Sequence, residues 1–335
     1  MMPLMLITLI ILGTGIGFLI FFLIRSIVIP QKIATLETLV KQNRTASAIR
    51  MARKLITKNP RNVDAHYFLG LAYLADNKPE LALMELKTVN SIGQFTDSCR
   101  EIPFRRKIAE LYTKFNQPEE ALKEYLLLVR KEPNQPEYPF LIGQLFEERG
   151  KGAKAVEFYR KALELDPKNW KAFFHMGMVL YRTKKPAESR ESLEASLKLN
   201  PENYAAHFYL GRLFKENHEY TPALAAFEKA QKDPAYKTKA LIERGTCYMS
   251  MNNFEKAASE LERAIKLARE GEENELLYAH YFLAHCYEKM RELEQAIEHW
   301  ETIYTRKPNF KDVAEKLTQY QEFRQDDHVK DFMTA

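Results

Sequence analysis

Between Pro136 and Pro234 small and bulky apolar residues return to fixed places every 34 residues. A small residue (Gly143, Gly177, Gly211) stands at the eighth place, with a bulky apolar residue (Phe146, Leu180, Phe214) three further on. A second small residue (Ala155, Ser189, Ala223) stands at the twentieth place, with a large one (Tyr159, Leu193, Phe227) four further on. Spacings of three and four are those of a helix face. An Asp-Pro or Asn-Pro closes each stretch, and proline stops a helix because it lacks the amide donor and restricts the residue before it. The pattern predicts two helices per unit, held close by the small residues. Helix pairs this short cannot bury their apolar faces alone, so the units must stack.

The register extends both ways. Units are expected to start near 29, 63, 102, 136, 170, 204, 238 and 277, with five-residue excesses around "NSIGQFTDSC" and "REGEENE". The first unit (29–62) is degenerate, with Leu36 at the small place, and reads as a cap continuous with what precedes it. The stretch 63–309 carries the regular repeats. In 310–323, Val313, Leu317 and Tyr320 lie at helical spacing and predict a closing helix, and 324–335 is a polar tail.

This pattern resembles the tetratricopeptide repeat. The resemblance implies an all-α fold, a right-handed superhelix (α-solenoid) of helix–turn–helix units. It also implies that places 2, 5, 9, 12 and 13 of each first helix face a concave groove that binds partners. On that basis the candidate protein- or peptide-binding residues are Tyr67, Phe140, Phe174, Met178, Tyr181, Phe208, Arg212 and Tyr281. Large apolar rings with a few charged groups are what a peptide-binding surface uses. The other reading of the same side chains is core packing against the adjacent helix. Repeats that clamp acidic chaperone tails carry Lys at place 5 and Asn at place 9 of their first unit. The corresponding pairs here are Tyr67/Leu71, Arg106/Glu110 and Phe140/Gln144, which argues against such a clamp.

Ahead of the repeats, residues 3–24 form an uncharged run of 22, long enough as a helix to cross a hydrocarbon core about 30 Å thick. The run is too long, and lacks the basic start, for a cleaved signal peptide. A transmembrane helix is therefore expected over 3–25. Arg25, Lys32, Lys41, Arg44, Arg50, Arg53 and Lys54 follow it, with no basic side chain before it. By the positive-inside rule the carboxyl-terminal body stays in the cytoplasm, and these charges would lie against the membrane surface. Gly13 and Gly17 form a G-x-x-x-G, which permits a homodimer of the anchor.

Composition removes several function classes. The 12 glycines and 28% charged residues suit a helical protein, and a net charge of +5 is too small to imply nucleic acid. Cys99, Cys247 and Cys286 show no metal or disulfide spacing and fit a reducing compartment. His66, His207 and His280 recur at the fourth place of units far apart along the chain, so they read as packing residues, not as a metal site. No phosphate loop, H-E-x-x-H or nucleophile elbow is present, so no enzyme and no cofactor is expected.

The order of anchor, basic segment and cytoplasmic repeats is similar to bacterial lipopolysaccharide assembly protein B, an inner-membrane adaptor family. That family ends in a rubredoxin-like domain with two Cys-x-x-Cys pairs, which this chain lacks, so its specific role does not carry over. The expected function is a membrane-anchored, non-enzymatic scaffold or adaptor at a bacterial inner membrane, in envelope biogenesis or complex assembly. The alternatives are an organelle-surface import or sorting receptor, or the regulatory front of a larger enzyme.

Overall fold

The computed structural model describes residues 14–19 and 31–320, and every regular element among them is helical. The chain divides into two compact units, Met1–Leu145 and Phe146–Ala335. The first holds α1 (31–41), α2 (Thr45–Lys58), α3 (Val63–Ala75), α4 (Pro79–Ile92), α5 (Glu101–Lys114) and α6 (Pro118–Lys131). Helix α7 (Glu137–Glu148) contains the division. The second unit holds α8 (Gly152–Leu165), α9 (Trp170–Arg182), α10 (Pro186–Leu199), α11 (Tyr204–Glu216) and α12 (Tyr220–Ala230). It continues through α13 (Lys237–Ser250), α14 (Phe254–Leu267), α15 (Glu273–Met290), α16 (Leu293–Arg306) and α17 (313–320).

Local chemistry sets where each helix begins and ends. The side chains of Asn62, Asn169 and Asn203 accept hydrogen bonds from the amides of Ala65, Ala172 and Ala206, capping α3, α9 and α11. Pro79, Pro118 and Pro186 open α4, α6 and α10, where a missing amide costs nothing. Between the helices of each hairpin, the fifteenth place of the unit is left-handed. Asn77, Asn116, Gly150, Lys184, His218, Asn252 and Arg291 hold φ between 52° and 66°. The next amide then reaches back five residues, as from Lys78 N to Tyr73 O (2.8 Å) and Glu219 N to Phe214 O (2.8 Å). This closes the first helix and turns the chain for the second.

The hairpins close over their small residues. A Cβ on Gly211 would come 2.7 Å from the Phe227 ring, and one on Gly177 or Gly245 within 2.8 Å of Leu193 or Leu261. At the twentieth place Ala82, Ala121, Ala155, Ala223, Ala257 and Ala296 are wholly buried. Ser189 is also buried, and its hydroxyl donates to Gly177 O at 2.7 Å.

The core of the second unit is a row of clusters, each bridging one hairpin to the next. Phe208, Ala223 and Phe227 pack with Ala240 and Cys247, and Leu241, Ala257 and Leu261 with Ala279, Leu283 and Cys286. The row ends where Leu277, Ala284, Ala296 and Trp300 meet Phe310 and Val313, with Leu317 and Tyr320 laid against them.

The excess after α4 is an ordered corner of the first unit. Phe95 packs on Phe104 (centroids 5.5 Å), Arg105 covers Phe95 at 5.3 Å, and Cys99 is buried. The excess after α14 lengthens α15 and places Glu272 to accept from Thr238 at 2.8 Å.

The expected membrane span lies outside the described residues except for 14–19, which are helical. No described helix is long and apolar enough to cross a membrane. Of the proposed glycine pair, Gly13 lies outside the described residues, and nothing lies within 4 Å of where a Cβ on Gly17 would stand.

Candidate partner-binding groove

In the second unit the first helices α9, α11, α13 and α15 touch one another in succession, so their side chains form one continuous face. On that face α11, α13 and α15 enclose a groove of about 700 Å³. Its floor is Phe208 and Ile242, at the fifth place of their units. Its walls are Tyr209, Glu243 and Phe282 at the sixth, with Lys239 and Tyr278 at the second, Arg212 and Thr246 at the ninth and Lys215 at the twelfth.

Tyr209 ties the aromatic side together. Its ring lies 5.8 Å from both Phe208 and Tyr181 and 6.4 Å from Phe174, each edge-on or tilted. Such arrangements set ring edges against ring faces, which is the favourable electrostatic geometry. Arg212 stacks over Tyr181 at 5.3 Å. Burial, and then the hydrogen bond it donates to Glu216, push the Tyr181 hydroxyl above its usual range, so it stays protonated.

The charges lining the groove are unevenly matched. Lys215 is bonded to Glu243 and donates to Thr246 Oγ1 at 2.9 Å, while Arg212 stands 3.6 Å from the same carboxylate. Lys239 lies 3.5 Å from Glu275. Two cations thus share Glu243, and the lining carries three basic groups against two acidic ones.

Family models described as tetratricopeptide repeat match residues 35–86 and 174–237, and again 238–270 and 277–310. A model described as TPR repeat matches 143–184. The chain is built of tetratricopeptide repeats. The hairpin of α5 and α6, which follows the first five-residue excess, lies outside the matched stretches. No curated protein matches the chain.

Among solved structures, the APC/C hetero-tetramer Cut9–Hcn1 is similar at 16% identity and a TM-score of 0.50, over 86% of this chain and 55% of that one. The C-terminal part of a TPR repeat-containing protein from Cytophaga hutchinsonii is similar at 20% identity and 0.48, over 85% and 99%. YrrB, described as a TPR protein with an unusual peptide-binding site, is similar at 18% and 0.46, over 68% and 96%. At these identities the likeness is one of fold.

The candidate residues fall into two environments. Tyr67, Met178 and Phe208 are buried, at 9%, 8% and 6% exposure, and act chiefly as core. Phe140, Phe174, Tyr181, Arg212 and Tyr281 are half-buried, and of these Arg212 lines the groove. Phe140 belongs to the first unit and the rest to the second.

Sequence reasoning passed over the sixth place, which supplies Tyr209, Glu243 and Phe282. The recurrence of a large or charged residue directly after the fifth place was the available signal.

Of the basic segment, Lys32, Lys41, Arg44, Arg50, Arg53 and Lys54 are exposed, and Arg25 lies outside the described residues. Arg53 is also structural, since it donates to the Tyr73 hydroxyl at 2.6 Å. His66 bonds Glu85 and Pro60 O, and His207 bonds Pro201 O, which are packing roles. No group of three or more His, Cys, Asp or Glu side chains able to hold a metal occurs among the described residues.

Proposed function

We propose that this chain is a non-enzymatic scaffold that binds a partner protein or peptide in the groove of α11, α13 and α15, and that residues 3–25 tether it to a membrane. The observation that carries the reading is the groove itself: three successive first helices present rings and charged groups to one open cavity. Rings supply apolar area at little entropic cost, and a few charge-assisted contacts fix register. An extended segment laid across the three helices would cover Tyr209, Tyr278 and Phe282. A carboxylate on it would meet Arg212 and Lys215, which share Glu243.

The tether rests on the uncharged run and on the exposed basic side chains that follow it. With the repeats on the basic side, the body faces the cytoplasm, as at a bacterial inner membrane.

The test is site-specific photocrosslinking in native membranes, with the photoreactive residue at Tyr278 in the groove or at Glu255 on α14. A partner captured from Tyr278, not from Glu255, and lost when Tyr209→Ala is added, upholds the reading. Equal capture from both sites overturns it. Flotation of the full chain with vesicles, against a chain lacking residues 1–25, tests the tether separately.

A further inference from the structure

At the carboxyl-terminal end of the second unit, four rings surround one ammonium. Lys311 Nζ lies 3.9 Å from the centroid of Tyr281, 4.8 Å from Tyr278, 5.2 Å from Phe282 and 5.9 Å from Phe310. The rings stand as walls. Tyr281 meets Phe282 at 78° and Phe310 at 74°, and Tyr278 meets Phe310 at 74° with centroids 5.3 Å apart. Asp312 accepts from the Tyr281 hydroxyl at 2.9 Å and fixes that wall. Aromatic faces carry negative charge density, and a box of them is the geometry that holds a quaternary or alkylated ammonium.

Among the described residues no acidic side chain forms an ion pair with Lys311, and the residue is exposed overall although its ammonium lies among the rings. Its backbone sits at φ +48°, a region a lysine rarely adopts. Burial among the rings, partly offset by Asp312, pushes the ammonium below the usual lysine range, as desolvation without a close counter-ion should. Two of the walls, Tyr278 and Phe282, also line the groove, so the box opens beside it.

We propose that Tyr278, Tyr281, Phe282 and Phe310 form a cation site for an alkylated ammonium group, and that Lys311 is its built-in competitor. A ligand ammonium with methyl groups offers each ring a larger, less hydrated cation than the lysine does. It must displace Lys311 to enter, and the tethered lysine competes at a high effective concentration. The site does not depend on the groove binding a peptide, although a peptide there could deliver the cation.

The experiment is titration with choline, followed through the aromatic proton resonances of the full chain. The Lys311→Gln variant is expected to bind choline about tenfold more tightly than the wild type. Lys311→Gly, which also relieves the positive φ, should behave the same way and serves if the first variant folds poorly. Adding Tyr281→Ala to either should abolish binding. The neutral carbon isostere of choline should not bind. Equal choline affinity in wild type and both emptied variants, or equal binding of the isostere, overturns the proposal.

A short peptide bearing one trimethyl-lysine then separates the sources. Binding tighter than choline, with the advantage lost in a Tyr209→Ala background, assigns the cation to a groove ligand. Parity with choline assigns it to a free small cation, and the site stands in both cases.

Discussion

His280 Nδ1 lies 3.1 Å from His299 Nδ1 across the hairpin of α15 and α16. The same two places in the hairpin of α3 and α4 hold His66 and Glu85, 2.6 Å apart. One repeat position therefore accepts either a histidine–carboxylate pair or two imidazoles. Two imidazoles can share one proton, but both cannot be charged at that distance.

Burial, then the neighbouring His299 and Arg306, push His280 down to about 4, and burial also lowers His299. Glu298 and Glu262 act on His299 in the opposite direction. In the unfolded chain both histidines titrate near 6.5. Between those values the unfolded chain binds more protons than the folded one, so stability is full above about pH 6.5 and falls as the pH drops toward 4. From about pH 7.5 to pH 5 the loss through His280 is on the order of 2 kcal/mol, with His299 adding in the same direction. Urea unfolding across that range should show it, and a His280→Gln/His299→Gln variant should show a flatter profile. An unchanged slope would remove the pair from the acid response.

Gly211 faces Phe227 with no room for a methyl group, since its Cβ would stand 2.7 Å from a ring carbon of a wholly buried side chain. Gly211→Ala gains about 1 kcal/mol of helix propensity but forces overpacking worth about 1–3 kcal/mol, for a net loss on the order of 1 kcal/mol. At Gly70 the nearest atom is a terminal methyl of Leu86 at 3.0 Å, which can turn aside. Gly70→Ala should therefore cost less, and the two urea midpoints decide the order.

This contact also shows how far the fold was legible. Small and large residues at the eighth and twenty-fourth places of each unit announced the helix pairs because the contact is made within one hairpin, where sequence spacing fixes geometry. The left-handed turn left a signal that the sequence analysis did not use, Asn77, Asn116 and Asn252 at one place, though the same place carries Lys184, His218 and Arg291. There the hairpin imposes the conformation on residues that do not favour it.

The groove was less legible. Whether a fifth-place ring faces a ligand or a neighbour depends on the next repeat. Phe208 is buried because Tyr236, from the connection before α13, lies 5.2 Å away. The ring box was not legible at all, since Lys311 and Phe310 lie beyond the last unit and outside its register.

Glu124 is a buried carboxylate with a complete set of partners in the first unit. It bonds Arg105 at 2.6 Å and accepts from Asn90 at 3.1 Å, while Glu101 holds the other side of the same guanidinium at 2.8 Å. Removing Arg105 strands the buried Glu124 carboxylate, so Arg105→Met should cost about 3–5 kcal/mol, whereas Glu124→Leu leaves Arg105 paired with Glu101 and should cost less. Arg105→Met/Glu124→Leu should cost clearly less than the two single changes added together, because no charge is then left unpaired. A double-mutant cycle by urea unfolding measures this, and strict additivity would mean that the pair is not coupled.

Cys99, Cys247 and Cys286 are wholly buried. Burial pushes their thiols up to about 12, 11 and 12, with Lys215 pulling Cys247 back slightly. A thiolate is the reactive form, so at about pH 8 none should react with a chromogenic disulfide while the chain is folded, and all three should react in denaturant. Cys247 is the informative one, because it packs in the cluster beneath Phe208 at the floor of the groove. If α13 opens locally to admit a partner, Cys247 should be labelled faster than Cys99 and Cys286 in native buffer, and a groove ligand should slow it. Equal labelling of all three, at the rate of global unfolding, would mean that the groove is preformed and binds without opening.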